Sequence, residues 1–455
     1  MACANTNLGY EQIDKIFCSA RDIFFIGIGG ISMSALAHYS LGCGKRVFGY
    51  DMTRNDACAM LEKRCYIKYC STPDSTSGMD LVIYSTAIDE SNLEYKNAKR
   101  LGIPLISRAN FLGYIMSRHK CRLAICGAHG KSTTTAMLGH IYNVAQRSPC
   151  VFCGAVMRGY DSAFLQGDGA FICEACEYLD AFLSLCPDEI GVTGIDFDHP
   201  DYFKNESDAI CSFQKFVSGA RLVYLNADNS ACMGLKHDRI ITFGIKNDAD
   251  YMAKIVHGVE KNQFLVYYRG KELCTCELDF FGEHFVYDAL LAFAIAHQNG
   301  IDIPTICSAL SSFEGTKRRM ELVLRLDGVP IYEDYAHHPT EIKASLNALR
   351  EMGYKRVLCI FQPHTYSRTF MLLERFMTCF DDAHLLALLP TYSAREKNAF
   401  GLDDLALSEL LGATYINNVD KVVDFIKNSN ADSVVLMGAG DLLGLRDFLV
   451  KNCLL

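Results

Sequence analysis

Short apolar runs alternate with longer stretches of helical periodicity along the chain. The first run, Ile23 to Ile26, opens into GIGGISMSALAHYSLGCG. The glycines predict a loop, the residues after them a helix, and RVFGYD a second strand. Further strands are predicted at 80–86 (DLVIYST) and 103–107 (IPLIS), and a helix over Asn110 to Ser117, ahead of the basic SRHKCR. The pattern restarts with a strand at LAICG (123–127), the loop GAHGKS and the helix TTTAMLGHIYNVA. Strands follow at 170–174 and 189–194, and a helix at 285–300. A third restart gives strands at VPIYEDY (329–335), RVLCIF (356–361), HLLALLP (384–390) and SVVLMGAG (433–440). Three runs of alternating strand and helix predict three α/β domains with mostly parallel sheets. The boundaries are expected near Lys120 and Glu321, giving segments 1–119, 120–320 and 321–455.

Length agrees with that count: 455 residues at roughly 150 per domain make about three. With 44 basic and 53 acidic residues the net charge is −9, which argues against a nucleic-acid binder and leaves room for local basic pockets. No uninterrupted apolar stretch of about 18 residues occurs, so no membrane span is expected. The 21 cysteines are the unusual feature. A chain of this length builds its core without disulfides, so a reduced cytoplasmic protein is expected, with cysteine as a small apolar residue. Cys150/Cys153 and Cys173/Cys176 have the spacing of a four-cysteine zinc site. The second pair straddles Glu174 on a predicted strand, where residues three apart point to opposite faces, which argues against shared ligation.

Two glycine loops carry the chemistry. Gly127-Ala128-His129-Gly130-Lys131-Ser132 follows a strand and precedes a helix, the context of a phosphate loop. Backbone N–H groups and the helix N-terminus would face phosphate, Lys131 would reach the β- and γ-phosphates, and Ser132 would ligate magnesium. Two residues separate these glycines, fewer than the common four. The alternative is a glycine turn with an exposed lysine. Gly27-x-Gly29-Gly30-x-Ser32 sits between a strand and a helix too, and Asp51 ends the next strand. As a dinucleotide fingerprint it is imperfect, leaving NAD, another nucleotide or a structural turn open.

The separated motifs together resemble the Mur ligases over nearly the whole chain. FFIGIGGISMSALA is similar to that family's UDP-binding loop, and GAHGKSTTTAML to its ATP loop, with the histidine of the alanine-adding branch. EACEYLDAFL and IDFDHPDYF look like its metal-binding segments. FEGTKRRMEL, YEDYAHHPTEIKASL, FQPHTYSRT, YSAREKN and MGAGD look like its later signatures. The resemblance implies a Rossmann-like first domain holding a UDP-sugar, a P-loop ATPase-like central domain, and a Rossmann-like third domain that binds the amino acid and closes. It implies UDP rather than NAD on the first loop, through Gly27, Gly29, Gly30, Ser32, Met33 and Asp51.

The implied reaction is ATP-dependent: L-alanine joins the carboxylate of UDP-N-acetylmuramate through an acyl phosphate, in peptidoglycan precursor synthesis. ATP and Mg2+ are the implied cofactors, the partners are small molecules, with no nucleic acid and no membrane, and the chain is a monomer or weak homodimer. Lys131, Glu174, His199 and His338 are the implied catalytic residues; Ser132, Glu174 and His199 the metal ligands. ATP falls to Gly127 through Thr133, including Ala128, His129, Gly130, Lys131 and Ser132, and to His284, Asp288, Arg319 and Asp334. His337, His364, Arg368, Arg395 and Glu396 fall to the substrates. Of the basic run Lys317-Arg318-Arg319, otherwise a solvated face, Arg319 is the phosphate candidate.

Several positions depart from the family pattern. Thr193-Gly194 stands where a threonine-asparagine is usual, Phe285 and Asp288 where asparagines help to hold ATP, and Pro390 where an aspartate precedes YSARE. The charge-handling residues survive, which favours an active ligase. The alternatives are a ligase attaching a preformed murein peptide to the same sugar nucleotide, and a catalytically silent nucleotide-binding homologue. A zinc-bearing nucleic-acid module is disfavoured by the acidic balance.

Overall fold

A computed structural model describes residues 8–72, 74–257, 261–394, 396–418 and 420–453. The first sheet is built from β1 (Asp22–Ile26), β2 (Arg46–Tyr50), β3 (Tyr66–Lys68), β4 (Leu81–Tyr84) and β5 (Leu105–Ser107), in the order 3-2-1-4-5 and parallel throughout. Every residue of β4 is buried, as a strand covered on both faces requires. The second sheet runs from β6 (Arg122–Cys126) through β7 (Cys150–Met157), β8 (Ser162–Leu165), β9 (Phe171–Glu174), β10 (Glu189–Val192), β11 (Leu222–Asn226), β12 (Ile240–Gly244), β13 (Tyr251–His257) and β14 (Asn262–Tyr268) to β15 (Lys271–Leu278). Its order is 15-14-13-12-11-10-6-9-7-8. The third comprises β16 (Glu321–Leu326), β17 (Val329–Asp334), β18 (Val357–Phe361), β19 (Leu385–Leu388), β20 (Thr414–Tyr415) and β21 (Ser433–Met437), ordered 16-17-21-18-19-20.

The expected strands and helices are present, with small changes at their ends. The strand expected at 189–194 stops at Val192, because Thr193 turns its hydroxyl onto the His129 carbonyl at 2.5 Å. Three regions are antiparallel where a mostly parallel pattern was expected: the pair β7-β8, the pair β16-β17, and the run β13-β14-β15. Residues along β14 alternate between buried and half-buried, so these strands have one wetted face and no continuous apolar run to announce them.

The layers share their cores. Helix Ile31–Gly42 of the first domain packs on β7 and β8, where the Tyr39 ring lies 6.2 Å from Phe152 and 6.4 Å from Phe164. Leu291 and Ile295 of helix Glu283–Gln298 belong to one apolar cluster with Ile342, Leu346 and Phe361 of the third domain. The cysteine pairs do not gather. Cys150 and Cys173 pack into the core shared with the first domain, Cys153 into the core on the other side, and Cys176 lies past the end of β9. The 19 cysteines whose side chains are described are free thiols.

Candidate active site

The middle sheet places the site. β6 lies between β9 and β10, all three parallel, so their carboxyl ends open on one edge, the edge where open α/β sheets bind ligands. From β6 the chain enters the glycine loop and then helix Lys131–Val144. Gly127 and Gly130 have φ of 136° and 79°, conformations that L side chains rarely adopt. A Cβ on Gly130 would also run into the Asp288 carboxylate. Ala128 N–H donates to the Gly194 carbonyl at 2.8 Å, which pins the loop to the end of β10.

Lys131 folds back over the loop. Its Nζ donates to the carbonyls of Gly127 (2.5 Å) and Ala128 (3.1 Å) and pairs with Glu177 at 3.0 Å. Burial alone would lower its pKa; the Glu177 charge outweighs that and holds the ammonium well above the ordinary lysine value. Ser132 Oγ donates to Glu174 Oε2 at 2.6 Å, and Gly154 N–H donates to the same oxygen at 2.9 Å. His199 faces Glu177 at 3.7 Å and Asp198 at 3.8 Å, on the Lys131 side of the loop.

A cavity of about 450 Å³ adjoins the loop. His129, Gly130, Thr133, His284, Asp288, Arg319 and Asp334 all line it, together with Thr340 and Glu341 from the third domain. The Asp288 carboxyl is buried and accepts from Thr134 Oγ1 at 3.0 Å; burial pushes it up to about 8. Burial pushes His284 down to about 4. Asp334 is already engaged, accepting from Met320 N–H, Ala336 N–H and Ser345 Oγ. Arg319 meets Glu341 at 3.3 Å, whereas Arg318 turns away to Glu333 (2.8 Å) and Lys317 to Asp161 (2.6 Å), so the basic run divides among three partners. Asn226 and Asn229 also line the cavity. They escaped the sequence reading, although NADN directly after an apolar run is a strand-end signal. They bring amide groups into a wall where Gly194, Phe285 and Asp288 have none.

The third domain closes on the loop through a charged network. His129 lies 3.3 Å from Asp196 and 3.4 Å from Glu341. Burial would lower its pKa; hydrogen bonds to those two carboxylates prevail and push it up to about 9. Arg375 pairs with Asp196 at 3.0 Å, and Thr340 Oγ1 donates to Asp196 at 2.8 Å. His338 is fully buried, caps helix Pro339–Glu351 and lies with its ring 4.7 Å from His129, so it stands behind the loop rather than on the open face. Burial pushes it down to about 4. His337 lies 3.4 Å from Glu341 and is pushed down to about 3, again by burial. Its ring is 5.7 Å from His364, which is stacked on Tyr392 at 5.5 Å. Arg368 holds Asp198 at 2.9 Å and His364 at 3.1 Å. Glu396 accepts from Ser367 N–H and hydroxyl at 3.0 and 2.6 Å. Arg395 lies outside the described residues. Thr391, next to Pro390, bonds Asp404 instead of facing this group.

The first loop occupies the corresponding place in the first sheet, between β1 and β4, where the strand order reverses. Asp51 accepts from Gly29 N–H at 2.8 Å, and Asn55 donates to the Gly29 carbonyl at 3.0 Å. Asp51 therefore shapes the loop itself. Ser32 accepts from Arg108 at 3.2 Å. The Met33 side chain is 1% exposed and belongs to the core. Glu177, Asp196, Asp198 and Glu341 lay within the quoted motifs without being singled out; Arg375 gave no signal.

Three α/β layers, a phosphate loop at the centre of the middle sheet and a third domain folded over it define a nucleotide-binding protein of the P-loop class. Family models match in series: "Mur ligase family, catalytic domain" over 22–120, "Mur ligase middle domain" over 125–296 and "Mur ligase, glutamate ligase domain" over 318–440. The chain is 38% identical to the UDP-N-acetylmuramate–L-alanine ligase of Caldanaerobacter subterraneus subsp. tengcongensis, covering 95% of this chain and 98% of that one. It is 36% identical to the enzyme of the same name from Clostridium novyi, covering 95% and 97%. The crystal structure of UDP-N-acetylmuramate-alanine ligase from Thermotoga maritima superposes with a TM-score of 0.83 at 26% identity, covering 95% and 98%. A murein peptide ligase from Psychrobacter arcticus shares the fold, with a TM-score of 0.71 at 22% identity. The chain belongs to the Mur ligase family.

Proposed function

We propose that this chain joins L-alanine to the carboxylate of UDP-N-acetylmuramate at the expense of ATP, in the synthesis of peptidoglycan precursors. The observation that carries the reading is the pairing of full-length similarity to alanine-adding relatives with an intact phosphate loop. A carboxylate does not react with an amine until it is activated. Transfer of the γ-phosphoryl group gives an acyl phosphate, and the alanine amine then displaces phosphate. The protein's part is to hold the reactants in line and neutralise charge on the moving phosphoryl group.

Lys131 is the group that meets the γ-phosphate, leaving Glu177 to do so. Ser132 and Glu174 are hard oxygen donors 2.6 Å apart at a helix N-terminus, a donor set that fits Mg2+. When bound there, Mg2+ supplies positive charge to the phosphoryl oxygens. His199 acts through Glu177, while His337, His364 and Arg368 border the space for the sugar-nucleotide carboxylate and alanine. A cytoplasmic location belongs to the same reading, in keeping with the absence among the described residues of any helix long and apolar enough to cross a membrane.

Phosphate release with UDP-N-acetylmuramate, ATP and magnesium, adding alanine, glycine, serine or tripeptide in turn, tests the reading. Release that depends on alanine is expected, and Lys131→Ala should abolish it while the circular dichroism spectrum stays the same. Release with tripeptide alone would make the chain a murein peptide ligase, and the absence of release with every acceptor would make it a silent homologue.

A further inference from the structure

Three cysteines outside the active site converge at the far edge of the middle sheet. Cys274 and Cys276 are two residues apart on β15, so the strand's period of two puts them on one face. Helix Ile303–Ser311 packs on β15 and brings Cys307 to them. The Cys276 sulfur lies 3.5 Å from Cys307 and 3.9 Å from Cys274, and all three sulfurs fall within 4.8 Å of one another. Five strands separate β15 from β6, so this cluster is no part of the phosphate site.

The spacing has a chemical meaning. A tetrahedral ion with metal–sulfur bonds of about 2.3 Å sets sulfur–sulfur edges of about 3.8 Å. The two measured edges lie on either side of that value. A disulfide, by contrast, needs about 2.05 Å and joins two sulfurs, leaving the third unexplained. The donor set is all sulfur, the set that selects thiophilic ions over Mg2+. Cys276 is buried, whereas Cys274 and Cys307 are half-buried, which leaves an open side for entry and for a fourth ligand. Phe264 and Val266, paired with Cys276 and Cys274 across β14, are fully buried, as is Ile306 on the helix, and they give the cluster an apolar backing.

We propose that Cys274, Cys276 and Cys307 form a three-thiolate site for a thiophilic cation of the zinc class, with water as the fourth ligand. Binding displaces the three thiol protons to solvent and exchanges three S–H bonds for three metal–sulfur bonds. The ion then ties the sheet edge to helix Ile303–Ser311, which itself packs on the helix of the phosphate loop.

Titration of the reduced, chelator-stripped full chain with Cd2+ and Zn2+ tests the proposal. One tight equivalent is expected, with a thiolate-to-cadmium charge-transfer band and release of protons. Cys307→Ser should weaken that equivalent by at least about 100-fold, since even outer-shell substitutions cost 10–100-fold. Cys274→Ser, at a half-buried position, gives the same readout if the first variant fails to fold, and Cys150→Ser should leave the titration unchanged. Equal binding by wild type and both cluster variants would overturn the site. So would a Cys276–Cys307 disulfide that survives isolation under reductant and blocks metal uptake.

Discussion

Asp288 shows how one side chain can depart from its family's pattern and still fit its place. Its carboxyl is walled off by Gly130 and Thr134, and burial pushes it up to about 8. The neutral acid both donates and accepts a hydrogen bond, as an asparagine side chain does. The sign of the pH effect follows. Below about pH 4 both folded and unfolded chains hold the proton. Between about 4 and 8 only the folded chain holds it, so stability falls as the pH rises, and above 8 the loss is complete. Asp288→Asn should therefore match wild type in melting temperature near pH 4 and exceed it increasingly up to pH 8. A constant difference across that range would refute the assignment. The residue's departure was visible in the sequence, but its burial was not, because burial depends on how helix Glu283–Gln298 meets the loop.

At the scale of elements, the strand ends do the positioning. Glu174 ends β9 and is gripped by Ser132 from the first turn of helix Lys131–Val144 and by Gly154 N–H from β7. A Cβ on Gly154 would overlap that carboxylate. Gly154→Ala should push Glu174 off Ser132, lower turnover by at least about tenfold, and raise the magnesium concentration needed for half-maximal rate. Turnover and magnesium demand that both match wild type would show that the grip is unnecessary. β1, β4, β6, β9, β18 and β21 were legible because each lies between two parallel neighbours and carries an unbroken run of at least three buried apolar residues. β13 to β15 were not, because their burial alternates. The two glycine loops were legible for the same reason as the strands, since each follows such a run. The Cys-x-x-Cys pairs, set aside because residues three apart on a strand face opposite ways, do scatter their sulfurs over two cores, while the cysteines that converge come from a strand and a distant helix that no spacing connects.

For the molecule as a whole, the decisive contacts join the second and third domains. Arg375 holds Asp196, Arg368 holds Asp198, and His129 stands between Asp196 and Glu341. Arg375→Ala should loosen the closed arrangement, read as a larger radius of gyration in small-angle scattering, and the difference from wild type should shrink with salt, which screens the Arg375–Asp196 pair in the wild type. An unchanged radius at low salt would show that the apolar contacts alone hold the domains. The three-domain plan and the motifs at the strand ends were readable in the chain. The pairing partners were not, since Arg375 and Asp196 are far apart in sequence and meet only once two domains are folded.

The cavity beside the phosphate loop has walls from both domains, with Asn226, His284 and Asp288 on one side and Asp334, Thr340 and Glu341 on the other. Whatever fills it touches both walls at once. Occupancy and closure are then two sides of one equilibrium, and each must change the other by the same factor. A substitution remote from the nucleotide, such as Arg375→Ala, lowers nucleotide affinity by the factor by which it favours the open chain.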